Sequence, residues 1–129
     1  MVGIVLISHG SLAAGLLAAA EMIMGPQEAV EVIGLGPAEN LDEFQDKLRQ
    51  AARRVDRGGG TLVMVDLFGG SPGNTAAYLA QEGTEVLTGA NLPMLIEALS
   101  RRDELDATAL AAAAVSAAAE GVRRLREMI

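Results

Sequence analysis

The sequence predicts an α/β protein built on an open, mainly parallel, doubly wound sheet with the strand order 2-1-3-4, flanked by helices. Apolar runs of strand length alternate with helical patterns four times along the 129 residues. The first run, residues 2–7, is almost entirely apolar, which is typical of a strand covered on both faces. Neither a repeat nor a linker interrupts this order. We therefore expect a single domain over residues 1–129.

The first half of the chain is predicted to form two strand–helix units. A turn at residues 8–11 precedes the first helix, which Gly25-Pro26 ends, and Gly36-Pro37 stops the second strand. The second helix is the most clearly amphipathic, with Phe44 and Leu48 on its apolar stripe. The predicted strands are residues 2–7 and 29–35, and the predicted helices are residues 12–24 and 41–55.

The second half repeats the alternation after a loop of three glycines at residues 58–60. Ser71 is predicted as the N-cap of the third helix and Pro72 as its first residue. The Ala-rich segment near the end is expected to be helical, and residues 122–129 either extend it or add a C-terminal edge strand. The predicted strands are residues 61–65 and 84–88, and the predicted helices are residues 72–81, 92–101 and 106–120.

Composition excludes several classes of function. The net charge of −7 disfavours nucleic acid as a partner, because phosphate backbones require clustered Lys and Arg. The chain has no cysteine, which removes disulfides and thiolate metal sites. No apolar stretch approaches the roughly 18 residues of a membrane span, and the N-terminus lacks the features of a signal peptide. We expect a cytoplasmic protein that uses no metal and no cofactor.

Two loops carry the candidate reactive residues. In a 2-1-3-4 sheet the winding reverses between strands one and three, and ligands bind at the carboxyl ends of the strands there. The loop SHGS holds His9, the only histidine, and the loop DLFGGSPGN holds Asp66. Asp66 is therefore predicted to accept a hydrogen bond from one ring nitrogen of His9, leaving the other nitrogen free as a nucleophile.

The same loops predict an anion site. A helix start preceded by a glycine pair offers free backbone N–H groups, which suit a phosphate. There is no ATP-binding loop of the G-x-x-x-x-G-K-[ST] type and no acidic cage for magnesium. A phosphoryl group must then arrive from one protein and leave to another, so the pattern predicts a carrier with a phosphohistidine. The candidate phosphoryl-binding residues are Gly10, Gly69, Gly70 and Ser71.

Rival chemistries match the sequence less well. Residues 69–73 match the G-x-S-x-G elbow of serine hydrolases, but Pro72 lacks the N–H that must donate to the oxyanion. A response-regulator receiver also has an aspartate after its third strand, but it requires an acidic pair where this chain has Ser8-His9. Dinucleotide binding fails because no third glycine completes G-x-G-x-x-G after residue 36.

The first strand ending in His-Gly, the segment VDLFGGSPGN and the segment GANLPMLIEAL at residues 89–99 carry a resemblance. The chain resembles the enzyme IIA domain of the mannose class of the bacterial phosphoenolpyruvate-dependent sugar phosphotransferase system, over essentially its whole length. The resemblance implies phosphorylation of His9 at Nε2, with Asp66 on the other nitrogen and Ser71 and the Gly69-Gly70 loop at the phosphoryl group.

The same resemblance implies the partners. The phosphoryl donor would be the histidine phosphocarrier HPr, and the acceptor would be a IIB domain or subunit, with a membrane permease associated indirectly. Family members form homodimers that exchange a C-terminal strand, which would give residues 122–129 a role. Two alternatives stay open: a regulatory phosphoprotein of this family without a transport role, and the phosphocarrier subunit of a dihydroxyacetone kinase.

Overall fold

The structure is a computed structural model that describes all residues from 1 to 129. Its centre is a four-stranded sheet in the order β2-β1-β3-β4, and every neighbouring pair is parallel. The predicted fold class and strand order are therefore confirmed. The elements are β1 (Gly3–His9), α1 (Leu12–Met24), β2 (Val30–Leu35), α2 (Leu41–Val55), β3 (Thr61–Val65), α3 (Gly70–Gln81), β4 (Glu85–Leu87), α4 (Leu92–Arg101), α5 (Ala107–Glu120) and a final 3₁₀ helix (Leu125–Met128).

Two hydrophobic cores lie on the two faces of the sheet. Because successive strand residues point to opposite faces, β1 sends Ile4 and Leu6 into a core with α1, α4 and α5, and Val5 and Ile7 into a core with α2 and α3. Phe44, on the apolar stripe of α2, is completely buried in the second core. Full burial of side chains of this size contributes about 1.5–3 kcal/mol each, which holds both helical layers firmly against the strands.

Several boundaries differ from prediction at the edge of the sheet where the strands end. β1 continues through His9, which pairs with Leu35 of β2, so the histidine is the last residue of the strand rather than part of a turn. α3 begins at Gly70 with Gly69 as its N-cap, so the prediction of Ser71 as the N-cap is wrong. The reason is that Gly69 and Gly70 both adopt positive φ, a conformation open to glycine, and turn the chain into the helix early.

The structure of the C-terminal tail, residues 122–129, differs from the prediction. Residues after α5 neither extend the helix nor add an edge strand; they form the exposed 3₁₀ helix. Gly121 ends α5, and Val122 and Leu125 are both exposed beyond it. Within one chain the tail finds no strand partner, and the edge strand β4 pairs with β3 over three residues only. No helix of the structure is both long and apolar enough to span a bilayer.

Candidate functional site

The structure brings His9 and Asp66 together at the carboxyl ends of β1 and β3. The two strands are neighbours whose register aligns Ile7 with Val65, so the residues that follow lie side by side. Asp66 Oδ2 lies 3.0 Å from His9 Nδ1 and also accepts the backbone N–H of His9 at 3.0 Å. One carboxylate oxygen therefore holds both the end of the strand and the ring.

Asp66 is an anion in a largely enclosed position, with a side chain that is 10% exposed. Burial alone would raise the pKa of Asp66, but hydrogen bonds and charge, chiefly from the ring and backbone of His9, together outweigh burial and hold that pKa below its ordinary value. The second oxygen, Oδ1, is buried and has no hydrogen-bond partner. The carboxylate is thus charged at neutral pH and directs its acceptor capacity to the histidine.

The contact with Asp66 favours one tautomer of the His9 ring. A carboxylate that accepts from Nδ1 favours the tautomer with the proton on Nδ1, which leaves the lone pair on Nε2. The ring is 52% exposed, so Nε2 is open to a partner. The arrangement can present a neutral imidazole as a nucleophile and stabilise the positive charge that develops when Nε2 forms a bond.

The N-terminus of α3 lies beside the free edge of the ring. A Cβ placed on Gly70 would be 3.6 Å from His9 Nε2 and 3.4 Å from Cε1. No side chain caps this helix, and the N–H groups of a first helical turn have no acceptor within the helix. Gly70, the first residue of α3, therefore places the start of a helix with free backbone donors beside Nε2.

Gly10 and Ser8 flank His9 in the chain and have different environments. Gly10 has φ +54, and its N–H donates to the carbonyl of Leu35 at 3.0 Å, so that N–H is not free for an anion. Ser8 is buried, and its Oγ accepts the N–H of Ala13 at 2.8 Å. Sequence reasoning missed Ser8, although a polar residue at an inward position of an apolar strand was a usable signal.

The surroundings of His9 are open and partly apolar. Leu12, at the start of α1, and Leu67 and Phe68, in the loop after β3, are all exposed, and Phe68 is 86% exposed. A groove of about 490 Å³ runs between α2 and α3 and shares only Ser71 with the site. His9 does not line this groove, and its side chain is 52% exposed on an accessible surface. A small-molecule enzyme encloses its substrate, whereas this surface suits contact with another protein.

Comparison with known proteins decides the family. The family model described as "PTS system fructose IIA component" matches residues 3–115, which include both strands and both loops of the site. The chain belongs to the mannose-class IIA family of the sugar phosphotransferase system (PTS). The predicted family is therefore confirmed.

The relatives of this IIA component are named for sugars. The mannose-specific EIIAB component of Escherichia coli K12 is 39% identical over 128 residues, which are 97% of this chain and 40% of that protein. The chain thus spans about two fifths of the length of that relative. The fructose-specific EIIA component of Bacillus subtilis is 31% identical over 107 residues, covering 81% of this chain and 73% of that protein.

Solved structures support the same family. An EIIA component from Streptococcus agalactiae superimposes with a TM-score of 0.90 at 28% identity and covers 98% of this chain and 99% of its own. The mannose/sorbose-specific IIA subunit from Enterococcus faecalis has a TM-score of 0.82 at 30% identity, with coverage of 95% and 93%. The fold and the order of its elements are therefore those of PTS IIA proteins.

Proposed function

We propose that this IIA component is a phosphoryl carrier that forms a phosphohistidine at Nε2 of His9. One observation carries the proposal: Asp66 occupies Nδ1 at 3.0 Å, while Nε2 stands free beside the N-terminus of α3. A nucleophile, an orienting carboxylate and a set of anion-binding donors thus meet at one point. The fold supports the proposal further, because the site lies where a doubly wound sheet reverses its winding.

The transfer step follows from this geometry. The Nε2 lone pair of His9 attacks the phosphorus of a phosphohistidine on the donor protein, and the donor's N–P bond breaks as the new N–P bond forms. The electron pair of the broken bond returns to the donor imidazole. His9 keeps its proton on Nδ1, and the positive charge of the phosphorylated ring is stabilised by Asp66. Backbone donors of Gly69, Gly70 and Ser71 hold the phosphoryl oxygens.

The partners in this proposal are proteins on both sides of the step. HPr donates the phosphoryl group, and a IIB domain or subunit accepts it and passes it on towards a membrane permease. The exposed apolar side chains of Leu12, Leu67 and Phe68 around an open His9 support protein docking, because such side chains form the cores of protein interfaces. The sugar-specific names of the relatives favour transport over a regulatory role or a dihydroxyacetone kinase subunit.

A homodimer is the second part of the proposal. The tail exposes Val122, Leu125, Met128 and Ile129, and β4 leaves one edge of the sheet unpaired. Pairing the tail with the β4 edge of a second copy would cover both features. Sedimentation of the full chain and of a chain lacking residues 122–129 tests this part: the full chain should sediment as a dimer and the shortened chain as a monomer.

Intact-mass measurement tests the carrier function. Incubation with phosphoenolpyruvate, enzyme I and HPr should add one phosphoryl group that is lost in mild acid and kept in base, as expected of a phosphohistidine. His9→Ala should remain unlabelled because the chain has no other histidine. A wild-type protein that gains no mass from active donors, or an alanine variant that is fully labelled, would end the proposal.

A further inference from the structure

We infer that Ser8 is a positioning residue for the His9 imidazole: its buried hydroxyl anchors the turn between β1 and α1, so that the ring faces Asp66. The inference rests on the proposed phosphocarrier function of His9. Ser8 does not touch the free ring nitrogen, so its role is to hold the backbone that carries the reacting group. It is one of the few polar side chains inside the protein, at 1% exposure.

Strand alternation places the side chains of Ser8 and His9 on opposite faces. Leu6 points into the core beneath α1, and Ser8 continues on that face, where its Oγ meets the N–H of Ala13. His9 points to the other face, towards Asp66 and Gly70. The hydrogen bond of Ser8 therefore fixes the end of β1 on the face that α1 covers, while the ring of His9 projects from the opposite face.

Ser8 performs the capping function that the N-cap residue of α1 does not. Ser11 stands at the N-cap position, but its side chain makes no capping hydrogen bond. The N–H of Ala13, in the first turn of α1, is buried and donates to Ser8 Oγ at 2.8 Å instead. Without that oxygen the buried N–H of Ala13 has no acceptor, which is unfavourable. The turn must then move for this N–H to reach another acceptor.

The hydroxyl also reaches the residue after the histidine. Ser8 Oγ–H donates to the carbonyl of Gly10 at 3.5 Å, a long contact, and the N–H of Gly10 donates to Leu35 at 3.0 Å. Both neighbours of His9 are thereby tied to fixed elements, β2 on one side and α1 on the other. Asp66 supplies the remaining restraint from β3. Movement of the turn would change the distance and angle between the ring and Asp66.

The test compares Ser8→Ala with Ser11→Ala, a matched removal of a hydroxyl from the same turn. Two quantities are measured: the rate of phosphoryl transfer from phosphorylated HPr, and the ¹H–¹⁵N shifts of the single imidazole in unphosphorylated protein, which report the tautomer. Ser8→Ala should slow transfer about tenfold or more and shift the ring signals towards a mixture of tautomers. Ser11→Ala should stay within about twofold with unchanged signals, and Ser8→Thr, which keeps the hydroxyl, should restore both.

The outcomes separate this inference from the carrier proposal. If the ring signals of Ser8→Ala equal those of the wild type, the positioning role is wrong whatever the transfer rate of the variant. It is also wrong if the signals change but the transfer rate does not. If the wild-type chain accepts no phosphoryl group, the carrier proposal fails, while the ring signals still decide whether Ser8 orients His9. Should Ser8→Ala not fold, Ser8→Cys fills the same space with a weaker acceptor and is subject to the same criteria.

Discussion

The backbone N–H and the ring nitrogen Nδ1 of His9 both lie 3.0 Å from a single oxygen of Asp66, Oδ2. The residues are 57 positions apart in the chain, so the contact exists only because β1 and β3 are neighbours in the sheet. The carboxylate orients both the main chain and the ring. Removal of the carboxylate therefore affects the position of the His9 ring, the tautomer of the ring and the negative charge beside it.

Replacement of Asp66 should impair transfer far more than it impairs folding. We expect Asp66→Ala to slow phosphoryl acceptance about 100-fold or more, since a histidine in the wrong tautomer loses most of its reactivity. The loss of unfolding free energy should be about 1.5–3 kcal/mol, the size of a hydrogen bond to a charged group. The rate of phosphoryl transfer from phosphorylated HPr measures the effect on transfer, and urea unfolding measures the effect on stability. Transfer rates equal to those of the wild type would rule out the orienting role.

The lowered pKa of Asp66 predicts an acid-sensitive part of the stability. A carboxyl whose pKa is lowered in the folded state stabilises that state at pH values above the ordinary aspartate pKa and loses this contribution as the pH falls through the folded-state pKa. Asp66→Asn lacks this titration. The difference in unfolding free energy between wild type and Asp66→Asn should thus shrink as the pH falls below the ordinary aspartate pKa. Urea unfolding over this range checks it, and a difference that grows in acid would contradict the prediction.

Gly70 should be required for space at the reactive nitrogen. The methyl group of Gly70→Ala would lie 3.6 Å from His9 Nε2, where the phosphoryl group must be placed. Gly83→Ala is the matched control, because Gly83 also has positive φ but has open space around it. Each variant should lose about 1–2 kcal/mol of stability from backbone strain, while only Gly70→Ala should lose most of its transfer rate. Equal transfer rates in the two variants would contradict the proposed phosphoryl position.

Phe68 should contribute to docking of the donor protein. Its side chain is 86% exposed next to the site, so Phe68→Ala removes contact area without opening the core. We expect KM for phosphorylated HPr to rise about tenfold with a smaller change in kcat, as for an aromatic residue central to an interface. Met22→Ala, which removes an exposed apolar side chain from the far end of α1, should change neither constant. A Phe68 variant with a wild-type KM would exclude this loop from the interface.

The local pattern of the sequence determined most of the fold. Apolar runs with strand periodicity predicted β1 and β3, and the bounds of α1, α2 and α4 match those of the structure because the turn residues at their ends act locally. The candidate pair His9 and Asp66 was also predictable. In a parallel sheet the ends of neighbouring strands meet at one edge, and β1 and β3 are neighbours in the doubly wound order 2-1-3-4.

Only the tertiary structure decided the details of the site. The start of α3 depends on Gly69 and Gly70 turning the chain at positive φ, and the cap of α1 comes from Ser8 rather than Ser11 because strand alternation carries Ser8 beneath the helix. The tail lacks a strand in the single chain because a strand needs a partner that the tail does not find. Periodicity and capping are local and readable from sequence, whereas these contacts depend on which distant backbone groups packing brings within hydrogen-bond distance.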